Sequence, residues 1–319
     1  MTTADLVTQE DIAAFQRDGA VVLRSKFSSD WLSLLHAGID ADLDTPTDNF
    51  TRHTRDPNAP GYFEDYWAWN KIPQFKEFVH NSPCAPLAAG LLGAPSINLV
   101  MDNWFLREAG STSRPPFHQD LSYFDFEGTM CVLWLPLEPV TKENGIAFVK
   151  GSHLWDKLFM RVRFADGHPS YEPTEVAGRT YHPPPDVNAD PDAFELLQWD
   201  MALGDCIFFD MRTLHGGLSS VTPTQTVRRF TLRMTAPDGV IRYRGDWARG
   251  ERAQFEAAGY REGDRIAGPF FPQLWPRQAS CSHQLGWGPA HWWCAYMMIL
   301  LPINVPYIAK MHETQIAGA

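Results

Sequence analysis

The stretch Pro115-Pro116-Phe117-His118-Gln119-Asp120 constrains the chain more than any other. If it is extended, alternate side chains point to opposite faces, so His118 and Asp120 project together and Gln119 away from them. An imidazole and a carboxylate on one face are two ligands of a metal site. Two His and one carboxylate, with the other coordination positions open, is the set that suits non-haem iron(II). Alone, His-x-Asp occurs in many chains as a structural or surface pair. It gains meaning from what returns roughly a hundred residues later. Leu203 to Asp210 reads as a short apolar strand entered through a Gly-Asp turn. It leads into Thr213-Leu214-His215-Gly216-Gly217, where His215 is the candidate third ligand. The three side chains meet only in a fold that brings distant strands to one place.

The segment Arg228-Arg229-Phe230-Thr231-Leu232-Arg233-Met234 follows. Read with period two, one face carries Arg228, Phe230, Leu232 and Met234, and the other carries Arg229, Thr231, Arg233 and Thr235. Arg228 is then the charge on the apolar face. A buried guanidinium needs an anionic partner, and no carboxylate in that strand supplies one. A bound dicarboxylate would, through the planar fork that suits Arg to carboxylates.

Thr8 and Asp11 predict a capping box opening a helix that stops at Gly19, and Ala20 to Leu23 predicts a strand. Ser29 or Asp30 is the expected cap of a second helix carrying Trp31, Leu32, Leu35, Ile39 and Leu43 at helical spacing. Ser82-Pro83 predicts a further helix running to Gly93. Ile97 to Arg107 predicts a strand with Ile97, Leu99, Met101, Asn103, Phe105 and Arg107 on one face. Met130 to Leu137, apolar on both faces, predicts a strand covered on both sides. Asn144-Gly145 predicts a hairpin turn with Ile146 to Val149 as the returning strand. The aromatic stretch Gly61 to Asn70 is either packing between helices and sheet or a wall over a pocket.

At 319 residues the chain is long enough for one large or two ordinary domains. A net charge of −11 argues against a general nucleic-acid binder. The N-terminus has no apolar core of a signal peptide. Five cysteines form no C-x-x-C pair, which predicts reduced thiols and a cytoplasmic protein. Arg242, Arg244, Arg249 and Arg252 form a local basic run, either a solvated face or a greeting for an anionic substrate. The tail from 277 to 319 is unlike the rest. Its apolar run Trp292 to Leu301 is too short for a membrane span and is followed by Pro302 and Pro306, so no membrane is expected; an oligomer contact, a strap over the domain and an extension without function are the readings left open.

The ordered set His118-x-Asp120, His215, Arg228 resembles the phytanoyl-CoA dioxygenase family of iron(II)- and 2-oxoglutarate-dependent oxygenases. Trp134-Leu135-Pro136-Leu137, Glu143-Asn144-Gly145 and Gly151-Ser152-His153 stand where that family has its signatures, and Phe15 to Leu23 is similar to its opening. The likeness covers roughly residues 8 to 276. It implies a mainly β fold, a double-stranded β-helix (a cupin-like jelly roll) with N-terminal helices. The domains are then 1–276 for the oxygenase and 277–319 for an atypical C-terminal extension. It implies a metal site at His118, Asp120 and His215, with Arg228 gripping 2-oxoglutarate and Trp134 lining the cofactor end. Asn103 and Arg107 stand where the family often has a Gln and a Lys four residues apart, a departure in type at cofactor-binding positions. Gly217 is a second departure, at a place where relatives often carry Ser. His153 is structural by the same resemblance. His168 and His182 fall in a polar, Pro-rich insertion between Asp156 and Gln198 that is expected to face the substrate; each histidine is more readily a solvated loop residue than a substrate contact.

Relatives that halogenate replace the carboxylate ligand with a small residue, so the resemblance and Asp120 together favour hydroxylation of an unactivated C–H bond in a small molecule, with desaturation or ring closure open to the same oxidant. The co-substrates would be dioxygen and 2-oxoglutarate, and the products succinate and carbon dioxide. Two alternatives remain: a lyase or isomerase using a metal on the same barrel, and a non-catalytic metal-binding protein. The first would turn over without dioxygen.

Overall fold

The computed structural model describes residues 6–164, 175–176, 178–218, 222–244 and 249–277. Residues 278–319, almost all of the expected C-terminal extension, lie outside them. The first half runs α1 (Gln9–Asp18), β1 (Ala20–Leu23), α2 (Ser29–Asp44), β2 (Thr51–Arg52), β3 (Tyr62–Tyr66), α3 (Pro73–Asn81), α4 (Cys84–Leu92) and β4 (Ile97–Arg107). Then come β5 (Phe126–Glu127), β6 (Met130–Pro136), β7 (Ala147–Val149), β8 (Leu158–Phe159), β9 (Glu175–Val176), β10 (Arg179–His182), β11 (Leu196–Leu197) and β12 (Cys206–Asp210). The rest is β13 (His215–Gly216), β14 (Val227–Thr235), β15 (Val240–Ile241), α5 (Arg249–Ala257) and β16 (Gln273–Trp275).

Local chemistry sets the first elements. Thr8 Oγ1 accepts the Asp11 amide at 3.1 Å, and the Asp11 carboxylate accepts the Thr8 amide at 2.8 Å, closing the expected capping box. Gly19 ends α1 at φ 83°, its amide donating to Phe15 O. The second helix is capped one residue early, at Ser28.

Eight strands form the main sheet in the order β1-β12-β6-β14-β4-β3-β2, with β16 added on β4. A three-stranded sheet, β11-β7-β13, packs across from it, where Phe148 of β7 meets Phe209 of β12 at 5.1 Å between ring centroids. This is a jelly roll flanked by helices. The outward face of the main sheet buries Phe230, Leu232 and Met234 against the helices, with Phe230 on Phe75 and Phe78 of α3 at 5.1 and 5.3 Å. The inward face lines a cavity.

Three local expectations are corrected. The Asn144-Gly145 turn makes no hairpin: β7 pairs with β11 and β13, so the turn carries the chain from the large sheet to the small one. Pro115 to Asp120 is not a regular strand. His118 makes one antiparallel bridge with His215, and Asp120 opens a 3-10 turn (Asp120–Tyr123). The face of β4 also changes along its length. Its pairing with β14 skips Val100, matching Arg233 to Met101 and Met234 to Leu99. This bulge turns Ile97 and Leu99 to the helices and leaves Met101, Asn103, Phe105 and Arg107 facing the cavity. No helix among the described residues is long and apolar enough to cross a membrane.

Candidate active site

The site is built on a backbone bridge. The amides of His118 and His215 each donate to the other's carbonyl at 2.9 Å. Gly216 permits this approach, since a Cβ there would lie 2.7 Å from the Phe117 backbone. The two imidazoles then sit 4.3 Å apart between centroids. Each Nδ1 donates to a local carbonyl, His118 to Pro116 O at 2.7 Å and His215 to Thr213 O at 2.9 Å. That leaves both Nε2 lone pairs directed at one point. Asp120 Oδ1 completes the set, 3.3 Å from His118 Nε2 and 3.6 Å from His215 Nε2. One ligand atom from each of the three buried residues lies within 4.8 Å of the others, a separation that accommodates a metal ion.

The electrostatics suit that use. Burial pushes the Asp120 carboxyl up, but the Arg233 charge and the facing imidazoles outweigh it and hold the group well below the usual carboxylate range. His215 is pushed down to about 3, chiefly by burial, so it is a neutral donor at physiological pH. Arg233, only 5 % exposed, places Nε 2.9 Å and Nη2 2.8 Å from Asp120 Oδ2.

The triad opens into a cavity of about 400 Å³ whose walls include Asn103, Arg107, Trp134, Thr231 and Arg229. Arg228 is not on that wall. It lies on the helix side of β14, 3.3 Å from Asp40 of α2 and 3.6 Å from Glu138. The reason is topological: the apolar face of β14 packs against helices, and other elements supply the acid that its own strand lacks. Arg229, one residue on, points into the cavity, 8 % exposed, with its guanidinium carbon 5.3 Å from the Trp134 ring. Burial pushes it down to about 10, and Glu138, at 3.3 Å, opposes the shift. Asn103 is buried, its Nδ2 donating to Glu64 at 3.4 Å while its Oδ1 has no partner. Arg107 donates to Ser111 O at 3.1 Å and keeps a buried Nε without a partner.

The aromatic stretch divides by role. Tyr62 and Tyr66 line the cavity, whereas Trp67 and Trp69 are core. Farther from the sheet, Phe164 stands 4.9 Å from the His118 ring and 5.3 Å from His53, whose Nε2 lies 3.0 Å from Glu64 Oε1. His153 Nε2 meets Gln16 O at 3.1 Å, outside the metal site. His182 is exposed on β10 and does not line the cavity; His168 lies outside the described residues. In the basic run, Arg242 pairs with Glu127 and Glu262, and Arg252 with Asp125, while Arg244 is buried. Sequence reasoning missed Arg229, Arg233, His53 and Glu64 as cavity residues. For the two arginines a signal existed in the polar face Arg229, Thr231, Arg233.

Comparison with known proteins gives the same picture. A curated relative, a probable phytanoyl-CoA dioxygenase of Caenorhabditis elegans, is 29% identical over 161 residues, 48% of this chain and 47% of the relative. The chain thus matches about half of that relative's length. Among solved structures, the alpha-ketoglutarate-dependent carbocyclase SnoK of nogalamycin biosynthesis superposes with a TM-score of 0.65 at 18% identity, covering 86% of this chain and 98% of its own. The epimerase SnoN, solved in complex with Fe3+, alpha-ketoglutarate and a nogalamycin, gives 0.66 at 20% identity, covering 83% and 98%. The family profile described as phytanoyl-CoA dioxygenase matches residues 15–230. The chain belongs to the phytanoyl-CoA dioxygenase family.

Proposed function

We propose that the protein is an iron(II)- and 2-oxoglutarate-dependent dioxygenase that hydroxylates an unactivated C–H bond of a small organic molecule. The observation that carries this reading is the convergence of His118, Asp120 and His215 at the end of a cavity that also holds a buried, inward-facing arginine. The donor set fits iron(II): two imidazole nitrogens and one carboxylate oxygen, with the remaining positions open. The cavity wall fits 2-oxoglutarate. Arg229 offers its far carboxylate a charge-assisted contact, Trp134 packs beside the guanidinium, and Asn103 Oδ1 and Arg107 Nε are polar atoms awaiting partners. Bound together, iron(II) and 2-oxoglutarate would reduce dioxygen, one oxygen atom leaving in succinate as carbon dioxide is released and the other supplied to oxidise the C–H bond.

The chain's own residues do the rest. Phe164 and Tyr123 pack edge-on against His118 at 4.9 and 5.3 Å and shield it from water. Tyr62, Phe105 and Phe164 offer the substrate an apolar wall, and the His53–Glu64 pair offers it a polar anchor. Asp120 occupies the place a halide would need, which argues against halogenation; the carbocyclase and epimerase similar in fold mark ring closure and epimerisation as other outcomes that the same ligand set serves.

The test is an anaerobic titration with iron(II) and 2-oxoglutarate, followed by a pulse of dioxygen and measurement of succinate. Wild type is expected to form a coloured complex and yield succinate, and His118→Ala and His215→Ala to do neither. Equal succinate from all three proteins would refute the site. Turnover of a substrate without dioxygen would favour the lyase or isomerase reading, and the presence of one added oxygen atom in the product identifies hydroxylation.

A further inference from the structure

Asp120 has two oxygens, and the fold treats them differently. Oδ1 faces the two Nε2 atoms, at 3.3 and 3.6 Å. Oδ2 is turned away and receives two charged N–H groups of Arg233, at 2.9 and 2.8 Å. The guanidinium is itself fixed. Its Nη1 lies 3.4 Å from Thr231 Oγ1, its central carbon sits 5.1 Å from the Phe124 ring centroid, and the side chain is 7% exposed. Such a two-donor, charge-assisted pair is short and directional. Breaking it would leave a buried charge without compensation.

We infer that Arg233 is a positioning residue that withholds one carboxylate oxygen of Asp120 from the metal, so that the triad presents three ligand atoms and leaves the positions 2-oxoglutarate needs. The inference rests on the metal and co-substrate reading above and adds a division of labour between the two arginines that β14 turns toward the cavity. Arg229 addresses the co-substrate, and Arg233 addresses the ligand that competes with it. Electrostatics gives the inference a distinctive sign. A cation held this close to the ligand carboxylate opposes a bound dication, and it neutralises the carboxylate when the metal is absent. Removing it therefore favours metal binding, while freeing Oδ2 to occupy a coordination position.

The test uses the full chain with Arg233→Gln and Arg233→Lys, cobalt(II) as the probe metal, and 2-oxoglutarate titrated into the cobalt-loaded protein under nitrogen. Arg233→Gln is expected to bind cobalt(II) as tightly as wild type or more tightly, with an altered visible spectrum. Its 2-oxoglutarate affinity is expected to fall about tenfold or more. Arg233→Lys, which keeps one charged donor, should lie between. Unchanged 2-oxoglutarate affinity and an unchanged spectrum would overturn the inference. So would a parallel loss of both ligands, or of folding, in both variants, because that is the behaviour of a structural buttress. Failure of wild type itself to bind cobalt(II) would instead sink the metal reading.

Discussion

Arg228 and Arg229 are adjacent, identical in chemistry and opposite in use. Arg228 reaches Asp40 and Glu138 on the helix side, and Arg229 stands over Trp134 in the cavity. The pair therefore makes a controlled comparison. Arg229→Ala is expected to raise the 2-oxoglutarate requirement roughly 10- to 100-fold, the worth of a hydrogen bond to a charged group. Arg228→Ala should leave it near wild type, because the side chain lies on the helix side of β14, against exposed Asp40 and the half-buried Glu138, and does not line the cavity. Succinate yield against 2-oxoglutarate concentration reads both, and the reverse result would move the grip back to Arg228. The triad was legible in the sequence because few residue types ligate iron and their order along the chain is informative. The arginine was not. Period-two reading separates two faces of a strand but does not say which one meets helices and which a cavity when both are covered. Phe230, Leu232 and Met234 marked the packed face correctly, and Arg228 lies with them on that face, away from the cavity that Arg229 lines.

Among the elements, the first helix and strand followed from local chemistry, and the departures came where tertiary contacts overrode it. Thr8, Asp11 and Gly19 bound α1 as their types require. Gly19 does more than end a helix. At φ 83° an added Cβ would lie 2.4 Å from His153 Nδ1 and 2.7 Å from Thr213 Oγ1. That junction joins α1 to the loop before His215 and to the Gly-Ser-His turn, since Thr213 Oγ1 donates to Gly19 O and His153 meets Gln16 O. Gly19→Ala is therefore expected to cost about 1–2 kcal/mol from left-handed backbone strain, and more from the clash. Urea unfolding should show the loss, with the midpoint shifted and the slope unchanged. A stability equal to wild type would mean that the junction relaxes without cost. The bulge at Val100 and the turn at Asn144-Gly145 were unreadable for a different reason. Each depends on which strand is paired opposite, and local sequence holds no record of that partner.

Across the molecule, the main sheet divides structural from chemical duty by alternate residues of the same strands. On β4, Met101 and Asn103 face the cavity, whereas Asp102 and Trp104 face the helices. The helix side carries an unexpected burden of acid. Asp42 of α2 accepts the Trp104 indole N–H at 2.7 Å and is pushed up to about 6, chiefly by burial. Asp102 is fully buried and pushed up to about 7 by the same cause, with the amides of Trp69 and Ala68 only partly offsetting it. An acid whose pKa is raised by folding binds its proton more tightly in the folded state. Its stabilising contribution is complete below the unfolded value near 4 and is lost as pH rises through the folded value. Packing of helices on the sheet should therefore weaken between about pH 4 and pH 7 and change little above that on account of these groups. Asp120 behaves in the opposite sense, since its pKa is depressed, and its pairing with Arg233 is lost only as pH falls well below 4. Asp102→Asn removes the charge and keeps the shape. It is expected to raise stability at pH 8 by about 2–4 kcal/mol and to leave it nearly unchanged at pH 4. Affinity for 2-oxoglutarate should not move, because the side chain lies on the far side of the sheet from Arg229. Denaturant unfolding at the two pH values, paired with a 2-oxoglutarate titration, separates the faces. A change in co-substrate affinity as large as the change in stability would mean that the two sides of the sheet act as one.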